Sequence, residues 1–124
     1  MGSERTIWLV RGTDKTIRVV VREADGSPFD LTSCVGYLTV KYRKEDTTSK
    51  VQKSTSIASA GAIVSAAGGV MEFYLLASDS ALWVPDSYVY DVRVVKTVAV
   101  GPPTVTRQYS VVSMSRLEVQ YNVG

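Results

Sequence analysis

The chain has 124 residues, 45% of them hydrophobic, enough for one compact domain with a core of ordinary size. Fourteen Lys and Arg stand against twelve Asp and Glu, and the resulting net charge of +2 makes no electrostatic case for a nucleic acid or an anionic membrane as partner. Histidine is absent, which removes Ser-His and Cys-His pairs, imidazole bases and the commonest zinc ligand together.

The apolar runs fall far short of the roughly 20 residues that cross a bilayer, and Met1-Gly-Ser-Glu-Arg5 leads into no apolar signal region. The expectation is a soluble protein made in the cytoplasm. The single Cys34 allows no internal disulfide, so the fold must rest on its hydrophobic core, in a reducing compartment.

The expected strands are Thr6 to Val10, Lys15 to Glu23, Val35 to Arg43, Lys50 to Ala58, Gly69 to Leu76, Ser87 to Lys96 and Thr104 to Val112. Leu117 to Tyr121 is a possible eighth. β-Branched residues fill Thr16-Ile-Arg-Val-Val-Val21, and Val35-Gly-Tyr-Leu-Thr-Val-Lys-Tyr42 has the same character. Between them, Asp25-Gly26 and Ser27-Pro28 are strong turn dipeptides, because Gly accepts positive φ and Pro fixes its own. The charged tip Tyr42 to Lys50 reads as a solvated hairpin end. Ser56 to Gly69, rich in Ala, Ser and Gly, reads as a loose and mobile loop around a weak strand at Ala62 to Val64.

No helical period of useful length competes; the best helical candidate is Ala77 to Val84, with Ser78 capping a single turn, Leu82 and Trp83 closing one end of the core, and Pro85 ending it. Seven or eight short antiparallel strands separated by Gly, Pro, Asp and Ser predict an all-β chain of two sheets packed face to face. Residues 1–113 form the expected domain, and 114–124 a C-terminal strand or an arm that pairs with a neighbouring subunit.

Candidate chemistry is sparse. Cys34 has no histidine to lower its pKa and reads as a buried structural thiol, so Cys34→Ser is expected to be nearly silent. Glu23, Asp25 and Asp30 share a loop but lack the spacing of a Ca²⁺ loop, and short Asp side chains that accept backbone N–H bonds in tight turns explain them better. Asp14 and Asp91 are read the same way. Gly61, Gly68 and Gly69 match neither a P-loop nor a dinucleotide fingerprint. Tyr88 and Tyr90 share one strand face, as core packing rather than a stacking platform for a single strand. No cofactor and no metal is expected.

Several landmarks follow one another in a recognisable order: Arg11-Gly-Thr-Asp14, Asp25-Gly-Ser-Pro-Phe-Asp-Leu-Thr32, Thr39-Val-Lys41, Gly69-Val-Met-Glu-Phe-Tyr-Leu75, Ser78-Asp-Ser-Ala-Leu82 and Ser87-Tyr-Val-Tyr-Asp-Val92. From about Thr6 to Val112 the chain resembles the immunoglobulin-like N-terminal domain of phage baseplate upper proteins and related small tailed-phage structural proteins. Two departures are visible: the family's Gly-Asp becomes Gly12-Thr-Asp14, and Ser33 stands where a Gly usually follows Leu-Thr.

The resemblance implies an Ig-like antiparallel β-sandwich of seven to eight strands. It further implies a non-enzymatic structural protein of a tailed-phage virion, made in the bacterial host cytoplasm. The expected partners are other phage structural proteins at the tail or baseplate, in a symmetric multicopy assembly, without nucleic acid or membrane. A capsid decoration protein on the outer head surface is the alternative, and a carbohydrate-binding module a further one. The candidate protein-interface residues are Trp8, Leu117, Val119, Tyr121 and Val123. Trp8 is read with equal weight as core.

Overall fold

The computed structural model describes residues 6–98 and 105–120. Among these, the elements in order are β1 (Ile7–Val10), β2 (Lys15–Val20), β3 (Cys34–Lys41), β4 (Val51–Ser54), β5 (Gly61–Ser65), β6 (Val70–Leu75), α1 (Ala77–Ser80), β7 (Ser87–Val98) and β8 (Val105–Gln120). The chain is all-β and forms two sheets, one of five strands in the order β1-β8-β7-β3-β4 and one of three in the order β2-β6-β5. Every pairing is antiparallel except β1 with β8, which is parallel, so the first strand is held by the last.

Strict alternation explains the layering. Successive side chains of a strand face opposite ways, and β3 and β6 alternate between buried and half-buried along their whole length. Leu38, Val40, Val92, Val94 and Leu117 from the larger sheet join Ile17, Val19, Met71, Phe73 and Leu75 from the smaller in one buried cluster. Gly36 of β3 faces Met71 and Phe73 of the smaller sheet. A Cβ there would run into the Met71 sulfur and stand 3.3 Å from Phe73 Cζ.

The most conspicuous difference from the expected elements is β8. Thr104 to Val112 and Leu117 to Tyr121 read as two segments because Ser113 and Ser115 interrupt the apolar pattern, yet β8 runs unbroken through them. Ser115 is buried opposite Tyr90, and register shifts between Tyr90 and Arg93 absorb the irregularity. The expected boundary at residue 113 therefore falls inside a strand whose later residues pair with both β7 and β1 of the same chain. The expected strand ends Thr104 and Tyr121 lie outside the described residues.

Two other segments sharpen. The weak strand at Ala62 to Val64 is the edge strand β5, where a Cβ on Gly61 would stand 2.7 Å from the Glu72 carbonyl of β6. The strand expected from Lys50 to Ala58 stops at Ser54, because the Ile57 N–H turns back to the Ser54 carbonyl at 3.2 Å.

The helix is the expected single turn but is capped differently. α1 is a single turn with Leu76 as its N-cap, and the Asp79 carboxylate, not Ser78, accepts the Leu76 N–H at 2.7 Å. Leu82 does not close the core: it is 94% exposed, whereas Trp83 is buried. Adjacent residues beyond so short a helix point apart, and Trp83 takes the inner position by stacking on Tyr88, ring centroids 5.3 Å apart. Lys53 of β4, itself buried, reaches Asp79 at 2.8 Å and ties the far edge of the larger sheet to α1.

Candidate functional site

The five interface candidates separate sharply. Leu117 and Val119 face inward and are buried in the core, so neither offers its side chain to a partner. Parity explains this: Leu117 and Val119 are odd-numbered members of β8, and the intervening Arg116, Glu118 and Gln120 take the outer face. Trp8 stands on the outer side of β1 with 58% of its surface exposed, which decides its even reading between core and surface. Tyr121 and Val123 lie outside the described residues.

Next to Trp8, a polar ladder starts on the outer face of the larger sheet and continues past the ends of β3 and β7 to Tyr42 and Asp86, with the Tyr42 ring packed against the core. Glu118 is Trp8's partner on β8 and Ser87's partner on β7. The Ser87 hydroxyl lies 2.9 and 2.7 Å from the two Glu118 oxygens, and Arg116 Nε approaches one of them at 3.3 Å. Arg43 then donates to the Ser87 carbonyl at 3.2 Å while its guanidinium lies 3.9 Å from the centre of the Tyr42 ring. The Tyr42 hydroxyl donates to Asp86 at 2.7 Å. Tyr42, Arg43, Ser87 and Arg116 are among the residues that line an open groove of about 680 Å³, together with Tyr88 and Val89.

The electrostatics of the ladder favour fixed partners over proton exchange. The Tyr42 hydrogen bond holds the Asp86 carboxyl below its ordinary value, and the same bond pushes the Tyr42 phenol up. Each group moves away from neutrality, so Asp86 stays ionised and Tyr42 protonated where a general acid or base would need to exchange. The residues 42–50 do form an exposed turn at the tip, and Tyr42 and Arg43 anchor it to Asp86 and Ser87. Those contacts span more than forty positions and have no local signature.

The remaining candidate groups have structural partners. Asp25 accepts the Ser27 N–H at 2.9 Å and hydroxyl at 2.6 Å, and Asp30 accepts the Thr32 N–H at 2.9 Å and hydroxyl at 2.7 Å. These are the expected carboxylate-stabilised turns, and the bonds lower both acids. Among the described residues no group of three or more Cys, Asp or Glu could hold a metal ion, and no helix is long and apolar enough to cross a membrane. Cys34 is buried, and desolvation raises its thiol pKa. Tyr88 and Tyr90 are both buried.

Asp91 departs from the expected turn role. It sits mid-strand on the outer face of β7, its Oδ1 is buried without a hydrogen-bond partner among the described residues, and burial raises its pKa. Arg93, two positions on, places its guanidinium 4.9 Å from the centre of the Tyr37 ring, and its Nε is likewise buried without a partner among the described residues.

Neither a scan against protein-family models nor a search of the curated proteins found a match for this chain.

Proposed function

We propose that this chain is an Ig-like β-sandwich that acts as a non-enzymatic assembly module of a tailed-phage virion, docking on other structural proteins at the tail or baseplate through its strand edges. Three features support the fold. β2, β6 and β5 fall in the B-E-D order of one Ig sheet. β8, β7, β3 and β4 fall in the G-F-C-C′ order of the other. The Tyr88 hydroxyl donates to the Val84 carbonyl at 2.7 Å, the arrangement of a tyrosine corner at the start of strand F.

The observation that carries the assembly reading is the distribution of open edges. Among the described residues, each sheet ends in strands hydrogen-bonded on one side only, namely β1 and β4 in the larger and β2 and β5 in the smaller. Unpaired edges bind extended segments of other chains by strand addition. In a symmetric particle, many modest contacts of this kind act together. The motif order Asp25 to Thr32 and then Tyr88 to Asp91 supplies the phage assignment by resemblance.

Immunogold labelling tests this reading, using particles from a lysate in which the chain is made and an antibody raised against it. Gold at the tail tip is the expected result. Gold spread over the head would make it a decoration protein, and unlabelled particles beside abundant free chain would sink the virion reading.

A further inference from the structure

We propose that β1 is a self-pairing edge, at which a second copy of this chain adds its own β1 antiparallel about a two-fold axis through Trp8, joining two five-stranded sheets into one. This deepens the edge-docking reading above by naming the edge and its occupant.

The backbone fixes the register. The Arg11 N–H donates to the Gln120 carbonyl at 2.9 Å, and the backbone groups of successive strand residues point to alternate sides. Ile7 and Leu9 therefore address β8, and Trp8 and Val10 address the open edge. The Val10 carbonyl is already taken by the N–H and hydroxyl of Thr13, at 3.2 and 2.6 Å. Among the described residues, the Trp8 N–H, the Trp8 carbonyl, the Val10 N–H and the carbonyl of Thr6, the residue before β1, are left. Around a two-fold axis at Trp8 these groups match. Trp8 exchanges both of its bonds with Trp8 of the second copy, and each Val10 N–H meets the other copy's Thr6 carbonyl.

Chemistry separates β1 from the other edges. β2 carries Lys15 and Arg18, and β4 carries the inward-pointing Lys53, all of them devices that discourage pairing of like edges. β5 has no charge, but a register irregularity between Ile63 and Ser65 breaks its regular edge. Ile7-Trp-Leu-Val10 has neither protection. Its exposed indole would lie directly against its symmetry mate, on the same outer face as Val10, which is 37% exposed.

Sedimentation velocity on the full chain over a concentration series tests the proposal, with variants Trp8→Lys and Val10→Pro. Both substitutions act on the open side and spare the bonds to β8, so far-UV circular dichroism should be unchanged. The wild type is expected to dimerise, and each variant to raise the dissociation constant about tenfold or more. Val64→Lys on the β5 edge should leave it unchanged. A wild type that stays monomeric at the highest concentration overturns the proposal, as does a dimer that both variants leave intact or that Val64→Lys weakens equally. A monomeric chain that still labels the tail tip would remove self-pairing and leave the virion reading standing.

Discussion

Two connections carry the chain from the smaller sheet to the larger, and they differ in balance. The corner between β2 and β3 is held largely by bonds of short reach, Asp25 to Ser27, Asp30 to Thr32, and the Gly26 N–H to the Glu23 carbonyl at 3.0 Å, with the Leu31 N–H reaching the distant Ala66 carbonyl at 2.9 Å. The corner between β6 and β7 is held from afar. Ala77 N–H donates to Asp14, Gly12 N–H to the Ser80 hydroxyl, Lys53 meets Asp79, and Val119 N–H donates to the Asp86 carbonyl. A corner that carries its own hydrogen-bond partners can form early and tolerate change, whereas one assembled from distant strands depends on the whole fold.

The largest test of that contrast is Trp83→Ala. It removes a buried ring stacked on Tyr88 and should cost about 3–5 kcal/mol in denaturant unfolding. Asp79→Ala should follow at roughly 2 kcal/mol, because it strands the buried Lys53 ammonium, with a discount for the solvent Asp79 retains. A loss no greater than that of an ordinary surface substitution in either case would mean that the second corner is not fixed by its distant partners.

Ser33 offers a test of the first corner with the reverse sign. It is the one non-glycine residue with positive φ among the described residues, at 62°. Ser33→Gly relieves that conformation at the cost of a freer unfolded chain, and a net gain of about 0.5–1 kcal/mol is expected in thermal or denaturant melts.

The smallest effects are expected from the carboxylates, read as pH dependence. The folded-state pKa values of Asp25 and Asp30 lie below the ordinary 3.8, so their contribution is complete above 3.8 and is lost as pH falls through the depressed folded values. Asp25→Asn with Asp30→Asn should therefore lower the plateau above pH 3.8 slightly and flatten the acid limb, leaving stability at the acid end nearly unchanged. Asp91 has the opposite sign. Burial raises its folded pKa, so stability falls as pH climbs from the ordinary 3.8 through the raised folded value and the whole cost is present above it, and Asp91→Asn should be neutral or mildly stabilising at pH 7. A clear loss from Asp91→Asn would show that the carboxylate has a partner.

The same contrast explains what could be read from the residues. The Asp25 to Thr32 corner was legible because an Asp two positions before an N–H donor is a local signal. The strands β2, β3, β6 and β7 were legible because one buried face imposes a period of two. The division of Leu82 from Trp83 was not, since both are large and apolar and only the distant Tyr88 chooses between them. Of the interface candidates, the burial of Leu117 and Val119 follows from their parity on β8, which only the pairing with distant β7 fixes. The ladder of Tyr42, Arg43, Asp86, Ser87 and Glu118 gathers three separate stretches of chain, and nothing in any one of them announces the others.

The parallel pairing of β1 with β8 also orders events during synthesis. Within its sheet, Ile7–Val10 has β8 as its only neighbour, and β8 is translated after every other described element. A nascent chain therefore carries an unpaired, uncharged Ile-Trp-Leu-Val strand until nearly all of the described chain has left the ribosome. That interval is the one in which a trigger-type chaperone or a neighbouring nascent copy would meet this segment, before its own last strand does.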